Sequence, residues 1–201
     1  MLPDDAIGIM IGDVGGHDLY AAAAMAQTHS MLRALLYDRR TPPSEILGQL
    51  DRTLHATADV PVTTACLARI EPDTAGWVLR WSTAGHFPPL LITPDLDTEY
   101  LHAEPGLPLG VSTGEHRPDH TRSLPAGSIL LFFTDGLIED PAHSIDVGLT
   151  ALAGLAATHA SRPLPELVQV LADHHPSDGQ DDMAILALRI PVSTHSPQPP
   201  V

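Results

Sequence analysis

The chain has no lysine, a single cysteine and no apolar run long enough to cross a bilayer, and each shortage excludes a class of function. With Cys66 as the sole cysteine, neither an intramolecular disulfide nor a cysteine-rich zinc site can form. A reducing cytoplasm fits that usage. With arginine as the only strong base, 10 basic residues stand against 25 acidic ones, for a formal net charge of −15. Nucleic acid and anionic membrane both call for a basic footprint, so neither is expected as a partner. A transmembrane helix needs about 20 consecutive apolar residues, and none are present. The start, Met1-Leu2-Pro3-Asp4-Asp5, is acidic where a signal peptide would be basic. There is also no Gly-x-Ser-x-Gly elbow and no Walker-type lysine.

What the chain does contain is a recurring pairing of apolar runs with aspartate. Ile129-Leu130-Leu131-Phe132-Phe133 reads as a buried strand and runs straight into Thr134-Asp135-Gly136. Ile7-Gly8-Ile9-Met10-Ile11-Gly12 likewise runs into Asp13 and a glycine-rich turn, and Asp181-Asp182 opens the run Met183 to Leu188. If the third strand is antiparallel to the other two, its start lies at the same sheet end as their finish, and the carboxylates of Asp13, Asp135 and Asp181 converge. Like charges that close are not all ionised without a counter-ion, so the cluster points to a hard cation such as Mg²⁺ or Mn²⁺. In so acidic a chain, an anionic substrate would depend on bound metal for its attraction. Asp182, next to Asp181, should face the opposite side of its strand and not be a direct ligand.

At 201 residues the chain fits one domain with a substantial core. Leu19 to Tyr37 is alanine-rich with apolar residues at helical intervals, and a second helix starts near Ser44 after Pro42-Pro43. From Thr63 the period becomes that of strands. Thr64–Ile70 and Trp77–Trp81 flank a loop over Glu71–Gly76, Leu90–Thr93 and Glu99–His102 flank a second turn, and His120–Leu124 reads as hairpin-linked to the central strand through Pro125-Ala126-Gly127. Two helices follow, over Gly148–His159 and Pro165–His175, before Ser177-Asp178-Gly179-Gln180 turns into the last strand. These elements predict an α+β fold of sheet on sheet with helices outside, spanning residues 1–191, and a proline-rich disordered tail over 192–201.

In order along the chain, Gly12-Asp13-Val14-Gly15-Gly16-His17, Ala84-Gly85-His86-Phe87-Pro88-Pro89, Pro108-Leu109-Gly110, Thr134-Asp135-Gly136 and Asp181-Asp182 resemble the motifs of the metal-dependent (PPM, or protein phosphatase 2C) serine/threonine phosphatases, in their SpoIIE/RsbU branch. The resemblance covers Ile7 to about Ile190. It implies two antiparallel β-sheets packed as a sandwich with flanking helices (α-β-β-α), two Mg²⁺ or Mn²⁺ ions at one end, and a phosphoprotein substrate in signal transduction or stress response, such as an anti-sigma-factor antagonist. By this likeness Asp13 bridges the two ions, Val14 contributes its backbone carbonyl, and Asp135 and Asp181 complete the shell of one ion. No protein nucleophile is implied, since the attacking group is water.

The chain also departs from the pattern. Relatives usually carry an earlier strand with a Gly-Gly-Asp motif whose acid holds metal-bound waters, and nothing before Ile7 supplies it. The expectation is a sandwich short of its usual first strand, with an exposed edge that favours pairing into a homodimer. Asp18 stands where relatives have glycine, either as a cap on the next helix, the commoner role, or beside a further cation. His17 is either an acid to the leaving oxygen or an exposed turn residue, and His86 belongs to a structural turn with no assigned chemistry. A phosphatase-like binding module is the second functional reading. A histidine-based zinc hydrolase ranks last, because Pro118 interrupts the spacing from His116 to His120.

Overall fold

The computed structural model describes residues 1–57, 61–74, 76–104, 106–114, 116–174 and 182–192. Its elements are β1 (Ile7–Val14), α1 (Leu19–Asp38), α2 (Pro43–Thr57), β2 (Thr63–Asp73), β3 (Gly76–Ala84), β4 (Leu90–Ile92), β5 (Thr98–Tyr100), β6 (His120–Leu124), β7 (Ile129–Phe133), a 3₁₀ turn over Asp135–Leu137, α3 (Ile145–His159), α4 (Leu164–Asp173) and β8 (Ile185–Arg189). The strands form two antiparallel sheets of four, in the orders β1-β2-β3-β6 and β5-β4-β7-β8. Asp181, the turn expected over Ser177–Gln180 and the tail from residue 193 lie outside the described residues.

The layering follows from which side chains have nowhere else to go. All five residues of β7 are buried, so this strand needs cover on both faces. Leu130 and Phe132 face Cys66, Ala68, Ile70, Leu79 and Trp81 of the other sheet, while Ile129, Leu131 and Phe133 pack under Leu152 and Ala156 of α3 and Leu167 and Leu171 of α4. Fully burying a side chain of this size contributes roughly 1.5–3 kcal/mol. The first sheet has a matching outer layer, where Ala65 and Leu67 meet Leu32 and Leu36 of α1 and Ile46, Leu47, Leu50 and Leu54 of α2. Helix α2 starts on Pro43, whose fixed φ suits a first turn. Cys66 is wholly buried between the sheets, and burial pushes its thiol up to about 12.

Three details differ from the sequence reading. The residues expected to loop over Glu71–Gly76 instead extend the ladder, with Glu71 opposite Val78, Pro72 opposite Trp77 and Asp73 opposite Gly76. Backbone pairing there satisfies polar groups that an open loop would leave to water. Strand β6 pairs with β3, and β7 pairs with β4 and β8, so Pro125-Ala126-Gly127 crosses between sheets and is not a hairpin turn. The reason is burial: β6 is exposed over Thr121–Ser123 and suits a sheet edge, whereas β7 needs neighbours on both sides. The crossing is fastened to the end of β8 by hydrogen bonds from Gly127 N–H to the Ile190 carbonyl (2.9 Å) and from Ile190 N–H to the Ser128 carbonyl (2.8 Å). Finally, β1 belongs to the other sheet from β7 and β8, so any convergence of carboxylates is between two sheets. Among the described residues β1 is an edge strand, paired only with β2.

One ion pair is fully enclosed. Arg117 donates to Asp51 at 2.8 Å, with side chains 1% and 0% exposed, and Asp51 also accepts from the backbone N–H of Gly110 at 2.9 Å. The pair ties α2 to the loop that carries Pro108-Leu109-Gly110. Removing one partner of such a pair strands the other charge, so Arg117→Ala should lower stability by roughly 3–5 kcal/mol. Arg122→Ala, which breaks the exposed pair with Glu99, should cost about 1 kcal/mol or less. Urea denaturation of both variants checks the contrast.

Candidate metal centre

The inward row of β1 is Ile7, Ile9 and Ile11, all packed in the core between the sheets. Strand alternation makes Asp13 the next member of that row. A half-buried carboxylate therefore stands where the apolar interior ends, directly across the ladder from Thr64. Glycine precedes it for a steric reason, because a Cβ on Gly12 would lie 2.4 Å from the Thr64 carbonyl oxygen. Val14 is buried opposite Thr63, and Gly15 N–H donates to the Val62 carbonyl at 2.9 Å. His17 is exposed in the turn that follows. Asp18 caps α1, its Oδ1 accepting from Ala21 N–H at 2.8 Å.

On the other sheet, β7 delivers Asp135 into a 3₁₀ turn. The Asp135 carbonyl accepts from Ile138 N–H (2.7 Å) and Glu139 N–H (2.8 Å), and its Oδ1 accepts from Gly136 N–H at 3.1 Å. Thr134 stitches this end of β7 to the approach of β8. Its N–H donates to the Ala184 carbonyl at 3.1 Å, its Oγ1 accepts from Ala184 N–H at 2.9 Å, and its hydroxyl donates to the Asp182 carbonyl at 3.3 Å. Because β8 starts only at Ile185, the strand-alternation argument for the direction of Asp182 does not hold. Asp182 is an exposed residue ahead of the strand.

The two carboxylate-bearing ends are joined by a residue for which the sequence reading had no role. Gly85, at φ +70, turns the chain out of β3, and a Cβ there would lie 2.8 Å from Pro108 Cγ. His86 then enters the gap between the sheets, 8% exposed. Its Nδ1 lies 2.9 Å from Thr64 Oγ1 and its Nε2 lies 3.1 Å from the Phe133 carbonyl oxygen. A carbonyl only accepts, so Nε2 carries the proton. Burial lowers the His86 pKa to about 4, against an opposing contribution from the Phe133 bond. The ring is therefore neutral near pH 7, Nδ1 is a bare acceptor, and the Thr64 hydroxyl donates to it. The partners lie 22 and 47 residues away, which is why no local spacing pointed to this residue.

Asp13 and Asp135 thus stand at the same end of the sandwich, on backbone held by ladders and turns. Carboxylate oxygens with backbone carbonyls are the donors that Mg²⁺ and Mn²⁺ prefer, so the set fits a hard cation. Among the described residues no group of three His, Cys, Asp or Glu side chains could hold a metal ion, and Asp181 lies outside them. A cavity of about 450 Å³ adjoins β1 on its α1 side, lined by Met10, Val14, Met25 and Leu32. Its lining is mainly apolar, with Thr28, His29, Thr63 and Thr64 as its polar side chains.

Two antiparallel sheets packed between helix pairs are the fold of PP2C phosphatase domains. The chain belongs to the family Stage II sporulation protein E (SpoIIE), which it matches over residues 3–191. It is similar to the RsbU and RsbW domains of a Mycobacterium tuberculosis protein, at 32% identity over 94% of this chain and 54% of that one, with a TM-score of 0.81. The phosphatase domain of SpoIIE from Bacillus subtilis, with a fragment of its regulatory domain, matches at 20% identity over 92% of this chain and 55% of that one, TM-score 0.75. RsbX in complex with magnesium matches at 14% identity over 93% and 82%, TM-score 0.69; these two likenesses show the fold alone. The chain spans about half the length of the first two structures.

The depressed pKa of His86 has a consequence for stability. Between pH 6.5 and about 4 the unfolded chain binds a proton that the native imidazole does not, so its contribution is fully present above pH 6.5 and is lost as pH falls toward 4. Urea-unfolding free energy should therefore decline from pH 7 to pH 5, and the decline should be shallower in His86→Gln. Parallel declines in the two proteins would exclude the histidine as its source.

Proposed function

We propose that this chain hydrolyses phosphoserine or phosphothreonine on a regulatory protein, with Mg²⁺ or Mn²⁺ held by Asp13, the Val14 carbonyl, Asp135 and Asp181. The observation that carries this reading is the placement of Asp13 and Asp135 at one end of a SpoIIE-family sandwich, on two different sheets joined through Thr64, His86 and Phe133. Divalent cations bound there would supply Lewis-acid activation of water and neutralise charge on the phosphoryl oxygens. The protein's share is to present hard oxygens from rigid backbone. Asp13 is held by the β1–β2 ladder, and Asp135 by the 3₁₀ turn and its bond from Gly136. No side chain is needed as nucleophile, which agrees with a buried, inert Cys66. A net charge of −15 disfavours a phosphate ester, so this reading assigns affinity to the cations and to protein–protein contact. A cytoplasmic anti-sigma-factor antagonist is the substrate class this reading favours.

A phosphatase-like binding module is the second reading. The two are separated by metal-dependent turnover. Hydrolysis of an aryl phosphate should require added Mn²⁺ or Mg²⁺ and stop with EDTA. Asp135→Asn keeps an acceptor for Gly136 N–H and relieves carboxylate repulsion, so it should leave the metal-free melting temperature undiminished. Its turnover should fall by more than about a hundredfold, and Asp182→Asn should lose far less. Metal binding without turnover would favour the binding module, and turnover that survives EDTA would exclude the metal-based reading.

A further inference from the structure

We propose that His86 is a positioning residue whose hydrogen-bonded bridge from Thr64 to the Phe133 carbonyl holds the Asp13 and Asp135 ends of the two sheets in register. This rests on the metal-based reading above and adds a determinant of metal affinity that contains no ligand. The two sheets meet through apolar side chains, and such packing is non-directional. It fixes how far apart the sheets lie better than how they sit along one another. At the acidic end, by contrast, the contact between sheets is directional. Thr64 pairs with Asp13 in the ladder, and Phe133 lies two residues before Asp135. Each nitrogen of one imidazole is spent on one of these two strand ends.

A histidine that merely filled the core would not be built this way. Its volume could be filled by an apolar side chain, with no ring nitrogen to satisfy. Here the turn is shaped to bring the ring in, since Gly85 takes a positive φ against Pro108. Leu109 in turn exchanges backbone hydrogen bonds with Thr63 at 3.1 and 2.8 Å, next to Thr64. The bridge is uncharged, so it adds no cation that would compete with metal between carboxylates. It also reports on both sheets at once, because a shift of either strand end breaks one of its bonds. Metal ligands held on separate sheets need such a brace, since both must stay in register for the ions to be shared.

The test uses the full 201-residue chain and Mn²⁺ binding measured by titration calorimetry, with melting temperature followed in parallel. Thr64→Val is nearly isosteric and removes the hydroxyl donor, whereas Thr64→Ser keeps it. Loss of a partner that orients a metal site commonly weakens metal affinity by roughly 10–100-fold. Thr64→Val should therefore bind Mn²⁺ at least about tenfold more weakly, and Thr64→Ser should restore affinity to near wild type. His86→Leu should show the same loss, and the double variant Thr64→Val/His86→Leu should be no weaker than His86→Leu alone, because both act through one bridge. If His86→Leu fails to fold, the Thr64 pair decides. Unchanged Mn²⁺ affinity in Thr64→Val beside a lowered melting temperature would make the bridge a core contact only and overturn the proposal. Additive losses in the double variant would also overturn it. A wild-type chain that binds no Mn²⁺ would instead overturn the metal-based reading on which the proposal stands.

Discussion

A strand with no polar side chain must be covered on both faces, and β7, with five buried apolar residues, is such a strand. Its inward residues require a second sheet and its outward residues require helices, so the order helix, sheet, sheet, helix follows from five consecutive apolar positions. The other layers adapt to it. β8 and β4 flank it as hydrogen-bonded neighbours, and the first sheet presents the small residues Cys66 and Ala68 beside Ile70 to receive its large ones. Close approach of the sheets there brings the end of β7 near the end of β1, and that meeting makes a site possible.

The site itself is an electrostatic problem that backbone geometry resolves. Carboxylates repel, and a chain of net charge −15 offers little to offset them. They can be kept close only on elements that do not yield. Asp13 is fixed in a ladder and Asp135 in a 3₁₀ turn, while a neutral histidine spans the gap between them. An uncharged bridge beside these two carboxylates leaves the field at that end of the sandwich negative. On the proposed function, a divalent cation would be drawn to that field and would in turn draw the anionic substrate.

The Pro108-Leu109-Gly110 motif shows how a distant segment takes part. Gly110 reports to Asp51 on α2, Leu109 to Thr63 on β2, and Pro108 to Gly85 at the end of β3. One short loop thereby locks the outer helix layer, the ladder opposite the Asp13 end and the turn that carries His86. The buried Arg117–Asp51 pair holds the loop in place. Its cost in desolvation is offset in part because Asp51 also accepts a backbone hydrogen bond and Arg117 also donates to the Leu107 carbonyl.

Periodicity and local chemistry made much of this legible in the sequence. The apolar run of β7, the alanine-rich α1 and the proline start of α2 are local signals, and each element falls where those signals put it, within a few residues. Asp13 and Asp135 were legible for the same reason, since each closes an apolar run. The partition of strands between sheets was not, because Pro125-Ala126-Gly127 has the composition of a hairpin turn and only the burial of the flanking strands shows that the chain changes sheet there. Nor was the direction of Asp182, which depends on where β8 begins pairing. His86 was the least legible of all. Its meaning lies in two hydrogen bonds to residues 22 and 47 positions away on different sheets, and a long-range contact leaves no trace in local spacing. The sequence by itself determined which segments are buried and which carboxylates end them, because burial and period are properties of neighbouring residues. Tertiary structure alone decided which strand ends meet and what braces them, because that depends on how two sheets pack across a shared core.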